Sequence, residues 1–210
     1  MANLAEEARR LKPRRTERGV LLPRLILLTD PVRLPDPLAA IAGLPRGSAV
    51  ILRDYGDPAA NSALREAAAR RLLAACRQRG VRLLIAADAR LAAKIGADGL
   101  HLPDHKVRQG SHRWRLWRRP GWIVTAAAHG PAALRRAQRA GADAILLSPV
   151  FPTASHPGAA TLGALRFARY AGTLAVPIYA LGGMSGERAR RLQGSDPAGF
   201  AGIGGFSQPG

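Results

Sequence analysis

The chain has 210 residues, 47% of them hydrophobic, enough for one domain with a substantial core. Its 32 Lys and Arg against 14 Asp and Glu give a formal net charge of +18, nearly all of it arginine. No apolar run approaches the ~20 residues of a membrane span, and the start, MANLAEEARRLKPRR, lacks the apolar segment of a secretory signal.

Residues 3–11 read as a short amphipathic helix with acids early and bases late. Residues 12–15, Lys-Pro-Arg-Arg, read as a solvated linker, so 1–20 form an N-terminal helical extension and 21–210 the main domain. From there short apolar runs alternate with helical patterns. The strand-like runs are 25–28, 49–53, 82–86, 99–102, 123–127, 144–148, 177–180 and 199–203. The clearest helical stretches are 61–78, 89–95, 131–140, 162–170 and 186–193. Near-continuous apolar strands are the mark of a buried parallel sheet, and repeated βα units require right-handed crossovers. Eight such units predict an α/β fold of the closed (β/α)₈ (TIM) barrel type. The open-sheet alternative needs a Gly-rich first turn, and Asp30-Pro31-Val32-Arg33 is not one. Little sequence follows strand 8, so the eighth helix is expected to be missing or truncated. Residues 3–11 are expected to pack in its place and cover an apolar stripe of the barrel wall.

Cys76 stands alone, which rules out an intrachain disulfide and fits a reducing cytoplasm. The positive charge has two readings: nucleic-acid binding, or an Ala/Arg-rich coding bias with a field that draws in anionic substrates. No nucleic-acid motif or aromatic platform accompanies the charge, which favours the second. The densest basic segment, 112–119, holds Trp114 and Trp117, which are expected to pack a helix onto the barrel.

In this fold chemistry collects at the C-terminal strand ends. Those ends carry Asp30, Arg53, Asp88, His101, His129, then the stretch 148–158, then Gly182-Gly183 and finally Ile203-Gly204-Gly205. Glycine admits close backbone approach, and consecutive amides beside a short helix make an anion concavity. Gly182, Gly183, Ile203 and Gly204 are therefore expected to hold a phosphate after strands 7 and 8. The blander reading is that these glycines only make tight turns.

The ordered set Gly96-Ala97-Asp98-Gly99-Leu100-His101-Leu102, Gly141-Ala142-Asp143, Ser148-Pro149-Val150-Phe151-Pro152-Thr153 and Ala180-Leu181-Gly182-Gly183-Met184 resembles the signatures of thiamine phosphate synthase and its TenI-like relatives. Leu27-Leu28-Thr29-Asp30 and Arg53-Asp54 resemble the family's first two strand ends. The resemblance runs from Leu25 to Phe206. It implies a transferase that joins a hydroxymethylpyrimidine diphosphate to a thiazole phosphate, with Mg²⁺ holding the diphosphate as it leaves. On matching positions, Gly183, Ile203 and Gly204 would bind the thiazole phosphate through backbone amides. Thr153, Ser155 and His156 would line the diphosphate pocket, Arg53 would reach the diphosphate, and Asp88 would ligate Mg²⁺. The implied partners are small phosphorylated substrates, with a homodimer left open.

The chain departs from that pattern on one side. Where the family carries a Gln and a Lys around strand 2, it has Ile51 and Tyr55; the Asn before the metal Asp is Ala87. The second metal Asp aligns with Lys106, the Ser two places before His129 is Ala127, and the diphosphate Lys is His156. Lys106 could supply charge in place of a metal, and Asp104 or His105 a shifted ligand; otherwise these are solvated loop residues, and Arg53 with Asp88 a plain ion pair. Two alternatives follow from the resemblance: a non-catalytic barrel that binds a thiazole or thiamine phosphate, and a divergent thiazole tautomerase. The tautomerase's catalytic His would stand at Pro149, which transfers no proton; His129 is the remaining acid–base candidate. His101 is expected to hold a loop by hydrogen bonding.

Overall fold

The computed structural model describes residues 3–53, 62–155 and 158–204. Eight parallel strands close into a barrel in sequence order. They are β1 (Leu25–Leu28), β2 (Ala49–Leu52), β3 (Arg82–Ala86), β4 (Gly99–Leu102), β5 (Ile123–Ala128), β6 (Ala144–Leu147), β7 (Ile178–Leu181) and β8 (Gly199–Gly202). The barrel shuts where Leu25, Ile26 and Leu27 pair with Phe200, Ala201 and Gly202. Helices α1 (Leu4–Arg9), α2 (Pro37–Ala42), α3 (Ser62–Arg79), α4 (Ala89–Ile95), α5 (Asp104–Arg108), α6 (Pro131–Arg139), α7 (Gly163–Thr173) and α8 (Gly186–Arg190) ring it. The strands fall within two residues of the predicted runs. Helices α2 and α5 and a 3-10 turn over Arg113–Trp117 have too few periodic apolar positions to be read from sequence. The predicted helix 186–193 breaks after Arg190, giving way to a 3-10 turn over Gln193–Ser195.

The two-residue period of the strands explains two apolar clusters. Ile26, Leu28, Ile51, Leu84, Ala86, Ile123, Leu146 and Tyr179 face inward and fill the lumen. Leu27, Val50, Leu52, Leu83, Ile85, Val124, Leu147 and Phe200 face outward against the helices. Tyr179 plugs the lower end, its hydroxyl donating to the carbonyl of Pro23 at 2.6 Å.

Helix α1 begins with a capping box, Asn3 accepting from the amide of Ala5 and Glu6 reaching back. It lies against α8 and β8. Leu4, Ala5, Ala8 and Leu11 are buried. At this seam Glu7 is fully buried: its carboxylate accepts from Arg190 at 2.9 Å, from Arg10 at 3.3 Å and from Gln193. Trp114 packs under the guanidiniums of Arg115 and Arg118, 5.6 and 5.9 Å from its ring centre. Arg118 also pairs with Asp143 at 2.8 Å, and Arg115 donates to the carbonyl of Ala140. Part of the basic segment is therefore consumed in packing. Burial pushes the Cys76 thiol up to about 12, so it stays protonated and unreactive. Among the described residues, no helix is long and apolar enough to cross a membrane.

Candidate active site

A cavity of about 460 Å³ opens at the C-terminal end of the barrel. Continuing the inward alternation of the strands carries Arg53, His101, His129, Ser148 and Ile203 to its wall. Arg53, Arg108, His101, His105, His129 and one carboxylate, Asp104, line it with the hydroxyl residues Ser148, Thr153 and Ser155. A second cavity of about 260 Å³ adjoins it, lined by Arg33, Gly183, Met184, Gly202 and Gly204. Both cavities share Thr153, Ser155, Leu181, Gly182 and Ile203 as a common wall. An apolar hollow of about 220 Å³ lies at the opposite end, beneath α1, away from the strand tips.

The β6 and β7 loops are sewn together. Val150 and Phe151 donate to the carbonyls of Leu181 and Gly182 at 2.9 and 3.1 Å. The Ser148–Pro149 peptide is cis. Gly182 and Gly183 have φ of +92° and +64°. A Cβ on Gly183 would stand 2.3 Å from the carbonyl oxygen of Pro152, so glycine is required here by packing as well as by conformation. Arg188 clamps the seam by donating to the carbonyls of Gly183 at 2.7 Å and Pro152 at 3.2 Å. Among the described residues, the amides of Gly183, Ile203 and Gly204 donate no hydrogen bond within the chain. Three donors thus remain at the second cavity, which is what an anion cradle needs. Gly205 and Phe206 lie outside the described residues.

Arginines hold the other side. The Asp30 carboxylate pairs with Arg33 at 2.7 Å and Arg53 at 3.2 Å. The amide of Arg33 donates to it, and with the Arg33 guanidinium keeps its pKa below the usual carboxylate value, against the opposing effect of burial. Arg53 is fixed further by the hydroxyl and carbonyl of Thr29, and Arg33 donates to the hydroxyl of Ser155. Arg33 and Asp30 thus anchor this side, a role the sequence did not reveal because an Asp-Pro-x-Arg turn is commonplace. His101 is buried with Nδ1 2.9 Å from the Thr125 hydroxyl. Burial first, and the nearby Arg53 charge second, push its pKa down to about 3, so it is neutral. His129 stands exposed at the rim, Nδ1 3.0 Å from the Ser148 carbonyl and 3.2 Å from its hydroxyl.

Asp88 does not reach this cavity. Ala87 adopts a left-handed φ of +65°, which breaks the inward alternation and turns Asp88 toward α4. There its carboxylate accepts from the amide of Leu91 at 2.8 Å as the helix cap and from Arg65 at 3.0 Å. The expected alternative, an Arg53–Asp88 ion pair, is thereby replaced by two others, Arg53–Asp30 and Arg65–Asp88. Asp88 lines a separate depression together with Lys106, Arg90 and Arg113. Asp104 is bracketed by Arg108 at 3.3 Å and Arg136 at 3.4 Å. Among the described residues no group of three acids, histidines or cysteines could hold a metal ion. The donors present at Asp88 do not fit Mg²⁺: both carboxylate oxygens are engaged, and an ammonium lines the same depression. His156, Asp54 and Tyr55 lie outside the described residues.

A family model described as thiamine monophosphate synthase matches residues 37–206. A thiamine-phosphate synthase of Thioalkalivibrio sulfidiphilus (strain HL-EbGR7) is 33% identical over 176 residues, 83% of this chain and 82% of that protein. A thiamine-phosphate synthase of Thiobacillus denitrificans (strain ATCC 25259 / T1) is 36% identical over 162 residues, 76% of this chain and 72% of its own length. The solved thiamine phosphate pyrophosphorylase of Pyrococcus furiosus has a similar fold, with a TM-score of 0.70 at 20% identity over 85% of this chain and 84% of that one.

Proposed function

Since the chain belongs to the thiamine monophosphate synthase family, we propose that it joins a hydroxymethylpyrimidine diphosphate to a thiazole phosphate and so serves thiamine biosynthesis. The observation that carries this reading is the pair of adjoining cavities with a common wall at Thr153, Ser155 and Gly182. A reaction that joins two molecules needs both bound side by side, at contact distance, before bond formation. The smaller cavity, with the free amides of Gly183, Ile203 and Gly204, suits the thiazole phosphate. The larger, with Arg53, Arg108 and the hydroxyls of Thr153 and Ser155, suits the pyrimidine diphosphate.

In the step itself a bond forms from the exocyclic carbon of the pyrimidine to the thiazole ring. The carbon–oxygen bond to diphosphate breaks, and the leaving group takes the electron pair. The residues contribute placement and charge. Arg53, oriented by Thr29 and Asp30, presents a fixed cation where negative charge grows, which lowers the barrier without reorganisation at the moment of reaction. Neutral His101 keeps the floor polar but uncharged. The reading also makes the cytoplasm the site of action and small phosphorylated molecules the partners.

Incubation with both substrates and Mg²⁺ should release diphosphate and yield thiamine phosphate. No release, with thiazole phosphate still bound, would overturn the transferase and leave a phosphate-binding barrel.

A further inference from the structure

The three described carboxylates of the barrel mouth share one property. Asp30 pairs with Arg33 and Arg53, Asp88 with Arg65, and Asp104 with Arg108 and Arg136. Five arginines thus meet three carboxylates, and each acid already has an arginine partner before any ligand arrives. A divalent cation entering here would add charge to a rim that is already positive, and would have to displace a guanidinium from each acid it used. An anion meets the opposite situation: at Asp30 and at Asp104 two guanidiniums face one carboxylate, leaving an excess positive charge for it to use.

Resting on the transferase reading above, we propose that this chain holds the diphosphate directly, without a divalent cation. Arg53 and Arg108 take the place of the metal, with the hydroxyls of Thr153 and Ser155 completing the site. Arg33, bound to Asp30 and to the Ser155 hydroxyl, positions that wall. Guanidinium groups are permanently charged and match phosphate oxygens in pairs, so they supply both the charge and the geometry that the engaged Asp88 does not. Lys106, in the neighbouring depression with Asp88, removes the second acid that a metal would need there.

Titration calorimetry with inorganic diphosphate, once in excess chelator and once in excess Mg²⁺, tests this. The affinities should agree within about threefold. In chelator, Arg108→Ala should weaken binding about tenfold; its side chain is 62% exposed, so the variant folds. Asp88→Asn should leave the affinity within about twofold, because its carboxylate caps α4 and does not line the diphosphate cavity. Binding seen only with Mg²⁺, or lost with Asp88→Asn, overturns the metal-free site while leaving the transferase reading intact if turnover is seen. An unaltered affinity in Arg108→Ala overturns it as well. Absence of binding under both conditions, together with absent turnover, removes both.

Discussion

Gly183→Ala isolates what the glycines of the β7 loop do. At φ +64° an alanine costs about 1–2 kcal/mol in backbone strain. Its Cβ would also meet the Pro152 carbonyl at 2.3 Å and the Phe151 carbonyl at 2.9 Å. Both belong to backbone tied to β7, so the contact cannot be relieved by one side chain turning away, and overpacking adds about 1–3 kcal/mol. The stiffer unfolded chain returns about 0.4–1 kcal/mol. The net loss is about 3 kcal/mol, or roughly 6–12 °C in Tm for a chain of this size. Gly47→Ala is the control: its φ is +81°, but nothing lies within 4 Å of the added carbon. It should lose about 1 kcal/mol or less. Thermal and urea melts of the two variants, with thiazole phosphate binding measured alongside, check the reasoning. Equal losses in the two variants would refute the crowding argument. Crowding should also push the β6 loop off β7 and weaken phosphate binding in Gly183→Ala but not in Gly47→Ala.

His101 is buried and neutral with a pKa near 3, so between about pH 3 and 6.5 the unfolded chain binds more protons. Its contribution is therefore intact above pH 6.5 and is lost as pH falls, by about 2–3 kcal/mol at pH 4.5. Asp30 and Glu66 have lowered pKa values and act in the same direction only near and below their ordinary values of 3.8 and 4.5, so urea melts from pH 7 down to about pH 5 report His101. His101→Gln should flatten that slope. Leu4→Ala should cost about 2–4 kcal/mol because Leu4 is buried between α1 and the barrel. Glu7→Ala should cost less, about 1–2 kcal/mol, since Arg10 and Arg190 are more than half exposed and can turn to water. Urea melts rank the pair, and a larger loss for Glu7→Ala would contradict this order. Ala87→Asn should gain about 0.5–1 kcal/mol, read as a higher Tm, because Asn tolerates the left-handed backbone that Ala87 adopts at φ +65°.

Period and composition alone determined the barrel. Eight near-continuous apolar runs bounded by polar loops leave few other ways to bury both faces, and the observed strands follow them closely. The tight turn at the glycines after β7 was legible for a different reason: the positive φ of Gly182 and Gly183 is a conformation that their residue type favours. Other features needed the folded chain. Helix α2 and helix α5 are too short to carry a period. The Glu7 contact with Arg190 joins residues 183 apart, and its burial arises only when α1 settles on β8. The sharpest difference is Asp88. The family resemblance, together with its place after β3, suggested a metal ligand in the barrel mouth. One left-handed residue, Ala87, reverses the direction of the next side chain, and an arginine from α3 then takes the carboxylate. Sequence sets which groups stand at the strand ends; only the backbone dihedrals and the neighbouring helices decide which of them face the ligand.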